Sequence, residues 1–277
     1  MTQHDDITVI IQGPLNAVSL SNIPNYQKTV KNIVISCWES CDISVIDNKI
    51  AYDTSVLLAT SNSLDYIDSN GKLYYNNSNI AFQAATTLSG LHQVKTKYVI
   101  KTRSDEIYSD ISYFAEVVKK NDKKLTTNNV LFQKDSVAKL HPSDHVIGGT
   151  THNMLGAFEK VKNYCKKNTR EKTKEKIPLI GKDIGVAELT EVAPETLICV
   201  SFLQHKGVEI DTSKSKEIMI ENFNMVKASE MGRYLLMIKG QPIMKRPKDE
   251  NQLIPGIGYI EENVENWVCP IASLKEL

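Results

Sequence analysis

The chain has 277 residues, 41% hydrophobic and 24% charged, which is ordinary for a globular protein of one large or two small domains. Lysine and arginine together number 33, as do aspartate and glutamate, so there is none of the basic excess that marks broad nucleic-acid binding. No apolar run approaches the roughly 18 residues that a membrane-spanning helix needs.

The first predicted element is the β-branched run "ITVIIQG" (7–13), which Pro14 follows. Such a run is typical of a strand buried on both faces of a sheet. Its apolar part is short and follows His4, Asp5 and Asp6 rather than a basic segment, so it does not resemble a secretory signal. We therefore expect a cytoplasmic protein.

Strand-like and helix-like segments alternate after this run. Further strands are predicted at "NIVISCW" (32–38), "DISVID" (42–47) and "SVLLAT" (55–60). The segment at 76–94 has apolar residues every three or four positions, which predicts an amphipathic helix, and the strand "KYVIK" (97–101) follows it. This order favours an α/β fold with a mostly parallel sheet.

The pattern is less regular after residue 125. Strands are predicted at "VLFQ" (130–133) and "DHVIGG" (144–149), and helices at 153–167 and 194–206, the last with proline in its first turn and glycine after its end. We expect one compact unit with a regular first half, residues 1–125, and a less regular second half with a C-terminal extension, residues 126–277.

Four polar residues, "RSDE" (103–106), follow the predicted strand at 97–101. Ligands of open parallel sheets bind beyond the carboxyl ends of the strands, and a carboxylate there can hold a cation against a diphosphate. The tetrapeptide resembles the Asp-x-Asp motif of GT-A nucleotide-sugar transferases, with Arg103 in the first acidic place and Asp105 in the second. We predict that Asp105 binds Mn²⁺ or Mg²⁺ and that Arg103 grips phosphate. Taken alone, the tetrapeptide also fits a salt-bridged surface turn.

Other polar residues are expected to lie near this strand end. A tight turn follows the first predicted strand, and Asn79 and Gln83, four positions apart, share one side of the predicted helix. The predicted donor-binding residues are Gln12, Gly13, Pro14, Asn79, Gln83, Arg103 and Ser104.

Two acids in the second half are candidates for a catalytic base, which glycosyl transfer with inversion requires. Glu195 follows Pro194 at a predicted helix start, where the helix dipole is expected to keep it ionised at neutral pH. Asp144, in "HPSDH" (141–145), is the second candidate and could instead bind acceptor hydroxyls. Both also fit purely structural roles, Glu195 as a first-turn acid and Asp144 in a turn before a strand.

The stretch "KKNTREKTKEK" (166–176) has six basic and two acidic residues. It fits either a solvated helix end or a contact with a phosphate-bearing acceptor or an anionic membrane surface. The second alternative would place the protein peripherally at the inner face of a membrane.

Several motifs together resemble the WavE-type lipopolysaccharide synthesis proteins. They are "DITVIIQGP", "NIVISCWE", the helix with Asn79, Gln83 and Thr87, "KTKYVIKTRSDE", "HPSDHVIGGT" and "PETLICVSFL", in matching order over roughly residues 5–205. The family often has arginine just before the helix glutamine, whereas this chain has Phe82. That departure puts one donor or acceptor contact in doubt.

The resemblance implies a GT-A-like, Rossmann-type mostly parallel sheet flanked by helices, with an irregular C-terminal acceptor-side extension. Residues 1–125 would form the nucleotide-sugar-binding half and residues 126–277 the acceptor-side half with that extension. The resemblance also implies a role in building a surface polysaccharide or lipid-linked glycan. With the predicted metal ligand and base, we expect a metal-assisted, inverting transfer from a nucleotide-sugar donor, and the balanced charge predicts no nucleic-acid partner. A sugar nucleotidyltransferase would need a Gly- and Arg-rich loop after the first strand, which "QGPLNAVSL" (12–20) lacks. A non-catalytic nucleotide- or glycan-binding protein with a decayed site, as Arg103 and Phe82 would suggest, stays open.

Overall fold

The computed structural model describes residues 3–15, 20, 22–46, 53, 55–61, 80–130, 132, 139–170, 193–232, 234–238 and 241–245. Its strands are β1 (His4–Gln12), β2 (Val30–Trp38), β3 (Val56–Ser61), β4 (Tyr98–Arg103), β5 (Ile107–Tyr108), β6 (Leu125–Asn128), β7 (Ile147–Thr150), β8 (Phe223–Val226), β9 (Tyr234–Ile238) and β10 (Gln241–Lys245). Its α-helices are α1 (Ile23–Tyr26), α2 (Ile80–Leu91), α3 (Ser112–Lys120), α4 (Thr151–Arg170), α5 (Pro194–His205) and α6 (Ser215–Asn222).

The main sheet has seven strands in the order β3-β2-β1-β4-β7-β6-β8. All neighbours pair in parallel except β7, which is antiparallel to both β4 and β6. A smaller antiparallel sheet contains β10, β9 and β5. The predicted fold class, a GT-A-like α/β fold with a Rossmann-type, mostly parallel sheet, is confirmed.

The sheet separates two hydrophobic cores, because successive side chains of a strand point to opposite faces. In β1, Ile10 joins the core formed with α2, α4 and α5, while Val9 and Ile11 join the core formed with α1 and α3. The continuous apolar run of β1 therefore reflects helices packed on both faces of the sheet, as its sequence predicted.

Helix α2 runs antiparallel to β1, and this orientation places its first turns at the carboxyl ends of the strands. Near the end of β1, Gln12 Nε2 donates to Thr86 Oγ1 at 2.7 Å. Lower on the sheet, Gly90 meets Ile10 so closely that a Cβ added to the glycine would lie 2.8 Å from the Ile10 Cγ2 atom. The polar residues of the first turns of α2 are thereby set beside the ends of β1 and β4.

One strand prediction was wrong. The segment predicted as a strand at 42–47 contains the 3₁₀-helix Ile43–Val45, since the Asp42 side chain accepts a hydrogen bond from the Ser44 N–H at 2.9 Å and favours a turn. The strand predicted at 130–133 lies partly outside the described residues; Val130 forms a β-bridge, and the nearby strand is β6. The predicted α5 is confirmed, and Gly207 follows it with a left-handed φ of +72°.

Some predictions fall outside the described residues. They concern Asn79, the basic positions 171–176 and the C-terminal extension beyond residue 245. Within the described ranges, no helix combines the length and the apolar character that crossing a bilayer needs.

Gly90→Ala tests the close packing of α2. The added methyl group would press on Ile10 and on the Ser36 Cβ atom, 3.1 Å away. Overpacking of this kind costs about 1–3 kcal/mol, which exceeds the gain of about 1 kcal/mol from the better helix propensity of alanine. We expect a lower free energy of unfolding in urea. A variant as stable as the wild type would show that α2 does not pack this tightly.

Candidate functional site

A cavity of about 430 Å³ opens where β1, β2 and β4 end. All predicted donor- and metal-binding residues that the structure describes line it. The lining residues are Gln12, Gly13, Pro14, Trp38, Ser40, Phe82, Gln83, Arg103, Ser104 and Asp105. The described residues predicted to bind the donor and the metal therefore lie together at one cavity, and Ser40, which was not predicted, also lines it.

The backbone ties the ends of β1 and β4 together below this cavity. The Ser104 N–H donates to the Gln12 carbonyl at 2.8 Å, and the Gly13 N–H donates to the Ser36 carbonyl at 3.0 Å. Gly13 has a φ of +129°, and a Cβ at this position would lie 2.5 Å from Ser104 Oγ, so only glycine fits. The buried Ser104 Oγ has no hydrogen-bond partner among the described residues, which suits a polar atom that awaits a ligand.

One wall of the cavity is aromatic. Trp38, at the end of β2, and Phe82, in α2, meet edge to face with their ring centroids 5.1 Å apart. Trp38 also packs against the hydrophobic core, so it serves both as core and as lining. Phe82 and Trp38 therefore make this wall apolar.

The opposite side carries an Arg–Asp pair in the turn after β4. Arg103 binds Asp105 through two hydrogen bonds, of 3.0 Å from Nε and 2.9 Å from Nη2, and its Nε also lies 3.0 Å from Glu106 Oε1. Burial lowers the pKa of Arg103, but the hydrogen bonds of Asp105 and the charge of Glu106 outweigh this effect and raise it. The salt-bridged turn that the tetrapeptide allowed is thus present, and it faces the cavity.

A buried hydrogen-bond network anchors this turn. Glu106, only 1% exposed, contacts His145 Nδ1 through one oxygen and accepts a bond of 2.8 Å from the Tyr108 hydroxyl through the other. Asn128 donates to the Tyr108 hydroxyl and in turn accepts from Ser143. Burial alone would lower the pKa of His145, but the charge of Glu106 raises it. The network therefore holds paired, opposite charges inside the fold.

Asp144 is the second buried acid. Gln83 Nε2 donates to its carboxylate at 2.7 Å, and Lys101 Nζ donates to its backbone carbonyl at 2.7 Å. Burial would raise the pKa of Asp144, but the charges of Lys101, His145 and Arg103 lower it to about 2. An acid with so low a pKa is a weak proton acceptor at neutral pH, so the environment of Asp144 suits a binding or orienting role.

Lys101, Glu106 and His145 lie beside the candidate site but were not among the predicted site residues. Lys101 is fully buried in β4, and burial, partly offset by Asp144, lowers its pKa to about 8. A lysine inside an otherwise apolar strand requires a buried partner, and this rule was the available signal. Sequence alone could not identify the partner, because residue 144 is far away along the chain.

Glu195 lies in the first turn of α5, as predicted, but its environment favours the ionised carboxylate less than the helix N-terminus alone would. Burial, and secondly the charge of Asp144, raise its pKa to about 7. Desolvation of the carboxylate thus outweighs the favourable helix N-terminus. His141 Nε2 lies 3.5 Å from Glu195 Oε2. A carboxylate whose pKa lies near neutral pH is well matched to general-base catalysis.

The described residues do not enclose a metal ion by themselves, since they hold no cluster of three or more potential His, Cys, Asp or Glu ligands. Asp105 remains the candidate ligand. Mg²⁺ is commonly held by one or two carboxylates together with substrate phosphates and water, and each carboxylate oxygen has two lone pairs. Asp105 thus suits a cation only where a bound phosphate or water supplies further oxygen ligands.

Comparison with protein families gives one match that covers most of the chain. A family model described as WavE lipopolysaccharide synthesis matches residues 7–243. No curated protein matches the sequence significantly.

Solved structures with a similar fold have low sequence identity to this chain. One is 4-diphosphocytidyl-2C-methyl-D-erythritol synthase from Anaerococcus prevotii, with 8% identity, a TM-score of 0.43, and coverage of 80% of this chain and 89% of that one. Another is glucosyl-3-phosphoglycerate synthase from Mycobacterium tuberculosis, solved with Mn²⁺, uridine diphosphate and phosphoglyceric acid, with 13% identity, a TM-score of 0.37, and coverage of 61% and 65%. A third is the galactosyltransferase LgtC, solved with donor and acceptor sugar analogs, with 13% identity, a TM-score of 0.39, and coverage of 58% and 65%.

Glu195→Gln tests the burial of Glu195 without any substrate. Between pH 4.5 and about 7 the folded wild type holds a proton that the unfolded chain releases, so its stability falls as the pH rises through this window. The fall is at most about 1.4 kcal/mol per pH unit. Because glutamine does not titrate, we expect the variant to gain stability relative to the wild type across the window and no further above it.

Urea unfolding at several pH values between 4.5 and 8.5 measures this difference. Glu159→Gln is the matched control, because Glu159 lies on the surface with 42% of its side chain exposed. A wild-type-to-variant difference that is flat with pH would contradict the raised pKa of Glu195.

Proposed function

Because the chain belongs to the WavE lipopolysaccharide synthesis family, we propose that it is a nucleotide-sugar-dependent glycosyltransferase that builds a surface polysaccharide or lipopolysaccharide-type glycan. The observation that carries the proposal is the cavity at the ends of β1, β2 and β4. It combines an aromatic wall, a charged turn and an unpartnered buried hydroxyl, with a buried acid of near-neutral pKa in the adjoining half.

The donor nucleotide occupies this cavity with its two chemical halves at opposite sides. The base and ribose lie against the turn Gln12–Pro14 and the aromatic wall, since aromatic faces favour stacking. The diphosphate lies at the turn after β4, where Arg103 supplies a planar, permanent cation and Ser104 an unpaired hydroxyl.

Asp105 would be a ligand of a divalent cation, Mn²⁺ or Mg²⁺, to which the donor phosphates would also bind. Arg103 occupies one position on each carboxylate oxygen, which leaves lone pairs for a cation and fixes the orientation of the carboxylate. The bound cation would neutralise charge on the departing nucleoside diphosphate.

Glu195 is the catalytic base of an inverting transfer. An acceptor hydroxyl is a poor nucleophile, so a base near it must remove its proton as it attacks the sugar. The burial that raises the pKa of Glu195 also increases its affinity for that proton. Asp144 stays ionised and orients the acceptor or, through Gln83, the donor.

The acceptor is a glycan or a lipid-linked glycan. Acceptors of the second kind would bring the protein to a membrane surface, and the basic segment 166–176 has the charge to contact anionic lipids or a phosphate-bearing acceptor. No nucleic-acid partner is proposed.

A non-catalytic nucleotide- or glycan-binding role is the second candidate, and the bidentate Arg103–Asp105 pair favours it because Arg103 neutralises the charge of Asp105 without a cation. A screen of nucleotide sugars for hydrolysis or transfer, with and without Mn²⁺, separates the two. Turnover of one donor supports the transferase. Nucleotide binding without turnover of any donor would favour the binding protein.

Asp105→Ala tests the cation-binding role. We expect the variant to stay folded and to lose the part of its nucleoside diphosphate affinity that depends on Mn²⁺, measured by titration calorimetry with and without EDTA. Asp122→Ala, which removes an exposed partner of Lys97, is the control. Equal Mn²⁺ dependence in Asp105→Ala and the wild type would remove Asp105 from the site, and wild-type activity that survives EDTA would assign charge neutralisation to Arg103.

Glu195→Gln tests the base. The substitution preserves shape but removes the proton acceptor, so transfer should fall by at least about a hundredfold while nucleotide affinity stays near that of the wild type. Steady-state kinetics with the identified donor measure both, with Glu159→Gln as the surface control. A nearly active Glu195→Gln beside an inactive Asp144→Asn would make Asp144 the base, and two active variants would contradict a base-assisted inversion.

A further inference from the structure

His141 belongs to neither the cavity lining nor the buried network around Glu106, yet it faces the proposed base. Its Nε2 atom lies 3.5 Å from Glu195 Oε2, and both side chains are largely buried, with 11% and 14% of their surfaces exposed. The two atoms are close enough for an ion pair, and the low dielectric around two poorly solvated groups strengthens any electrostatic interaction between them.

The tautomer of His141 follows from its surroundings. Its other ring nitrogen, Nδ1, is buried and has no hydrogen-bond partner among the described residues. Burial lowers the pKa of His141, so the ring is mainly neutral at pH 7 and carries one N–H. The Nε2 atom faces the Glu195 carboxylate, and we therefore assign the proton to Nε2.

The backbone before His141 is held in an uncommon conformation. Leu140 has a φ of +51°, which is rare for a residue with a side chain, and its N–H donates to Ser215 Oγ at 3.1 Å. Uncommon backbone conformations persist where the surrounding structure fixes them, often beside functional groups. Here the contact with the start of α6 fixes the turn that delivers His141 to the first turn of α5.

We propose that His141 is a positioning residue for Glu195, and that its Nε2–H holds Oε2 so that the carboxylate keeps one orientation toward the acceptor hydroxyl. Glu195 remains the base that accepts the proton of the acceptor hydroxyl, and His141 exchanges no proton with the substrate. The catalytic consequence rests on the proposed function, whereas the pairing itself does not.

Other charges act on the same pair and stay in place when His141 is changed. Asp144, His145 and Arg103 act on Glu195, and Asp144 also acts on His141. Removing the imidazole therefore removes one donor to the ionised carboxylate, which must raise the pKa of Glu195 further.

The kinetic test compares His141→Ala with His141→Gln, whose amide N–H can replace Nε2–H but does not titrate. We expect His141→Ala to lower kcat by about 10- to 100-fold, the cost of a misplaced catalytic group, with little change in the donor KM. The acidic limb of its pH–rate profile should move to higher pH, and His141→Gln should recover most of both effects. An unmoved acidic limb in His141→Ala would overturn the proposal.

An activity-free test uses urea unfolding of the wild type, His141→Ala, Glu195→Gln and the double variant at pH 8 and pH 5. If His141 holds the ionised carboxylate, the two single substitutions are non-additive at pH 8 and closer to additive at pH 5. The surface pair His92–Glu159, whose atoms lie 3.6 Å apart, is the control and should be additive throughout. Additivity of His141 and Glu195 at pH 8 overturns the proposal even if the enzyme is active. Coupling in a chain that turns over no donor supports the pairing and contradicts only the transferase.

Discussion

The turn after β4 is shaped by a buried ion pair, and the geometry of the cavity depends on it. Glu106 lies inside the fold and is bonded to Arg103, His145 and Tyr108, so each of its oxygens is satisfied. A buried carboxylate is tolerated only when it is paired in this way, and loss of one partner typically costs about 3–5 kcal/mol. The pairing holds Arg103 and Asp105 at the mouth of the cavity, where neither side chain could be fixed so firmly by solvent-exposed contacts.

The charged groups near this turn also give Asp144 and Glu195 different pKa values. Positive charges surround Asp144 and keep its pKa near 2, while burial beside a like charge brings the pKa of Glu195 to about 7. Groups whose pKa values are pushed apart can take different roles at one pH, as acid–base chemistry in enzymes requires. Asp144 is therefore suited to binding and orientation, and Glu195 to proton transfer. The parallel strands contribute the cavity itself, because β1, β2 and β4 all end at the same edge.

Local patterns in the sequence predicted the sheet and most of the cavity. The apolar runs of β1, β2 and β4 indicated buried parallel strands, and the polar residues that follow them meet at the cavity as expected. The strand prediction at 42–47 was wrong because the Asp42 side chain favours a local turn over a strand. The raised pKa of Glu195 was not predicted, because the depth of burial is a property of the tertiary structure.

Long-range pairing was also beyond the sequence. His145 meets Glu106 across 39 positions, and Gln83 meets Asp144 across 61. The crystal structure of the protein with Mn²⁺ and the nucleoside diphosphate of its donor would test the central claim most directly. We predict a diphosphate within hydrogen-bond distance of Arg103 and Ser104 and a nucleotide base beside Trp38. A nucleotide bound elsewhere, or an empty cavity at saturating nucleotide, would contradict the proposed donor site.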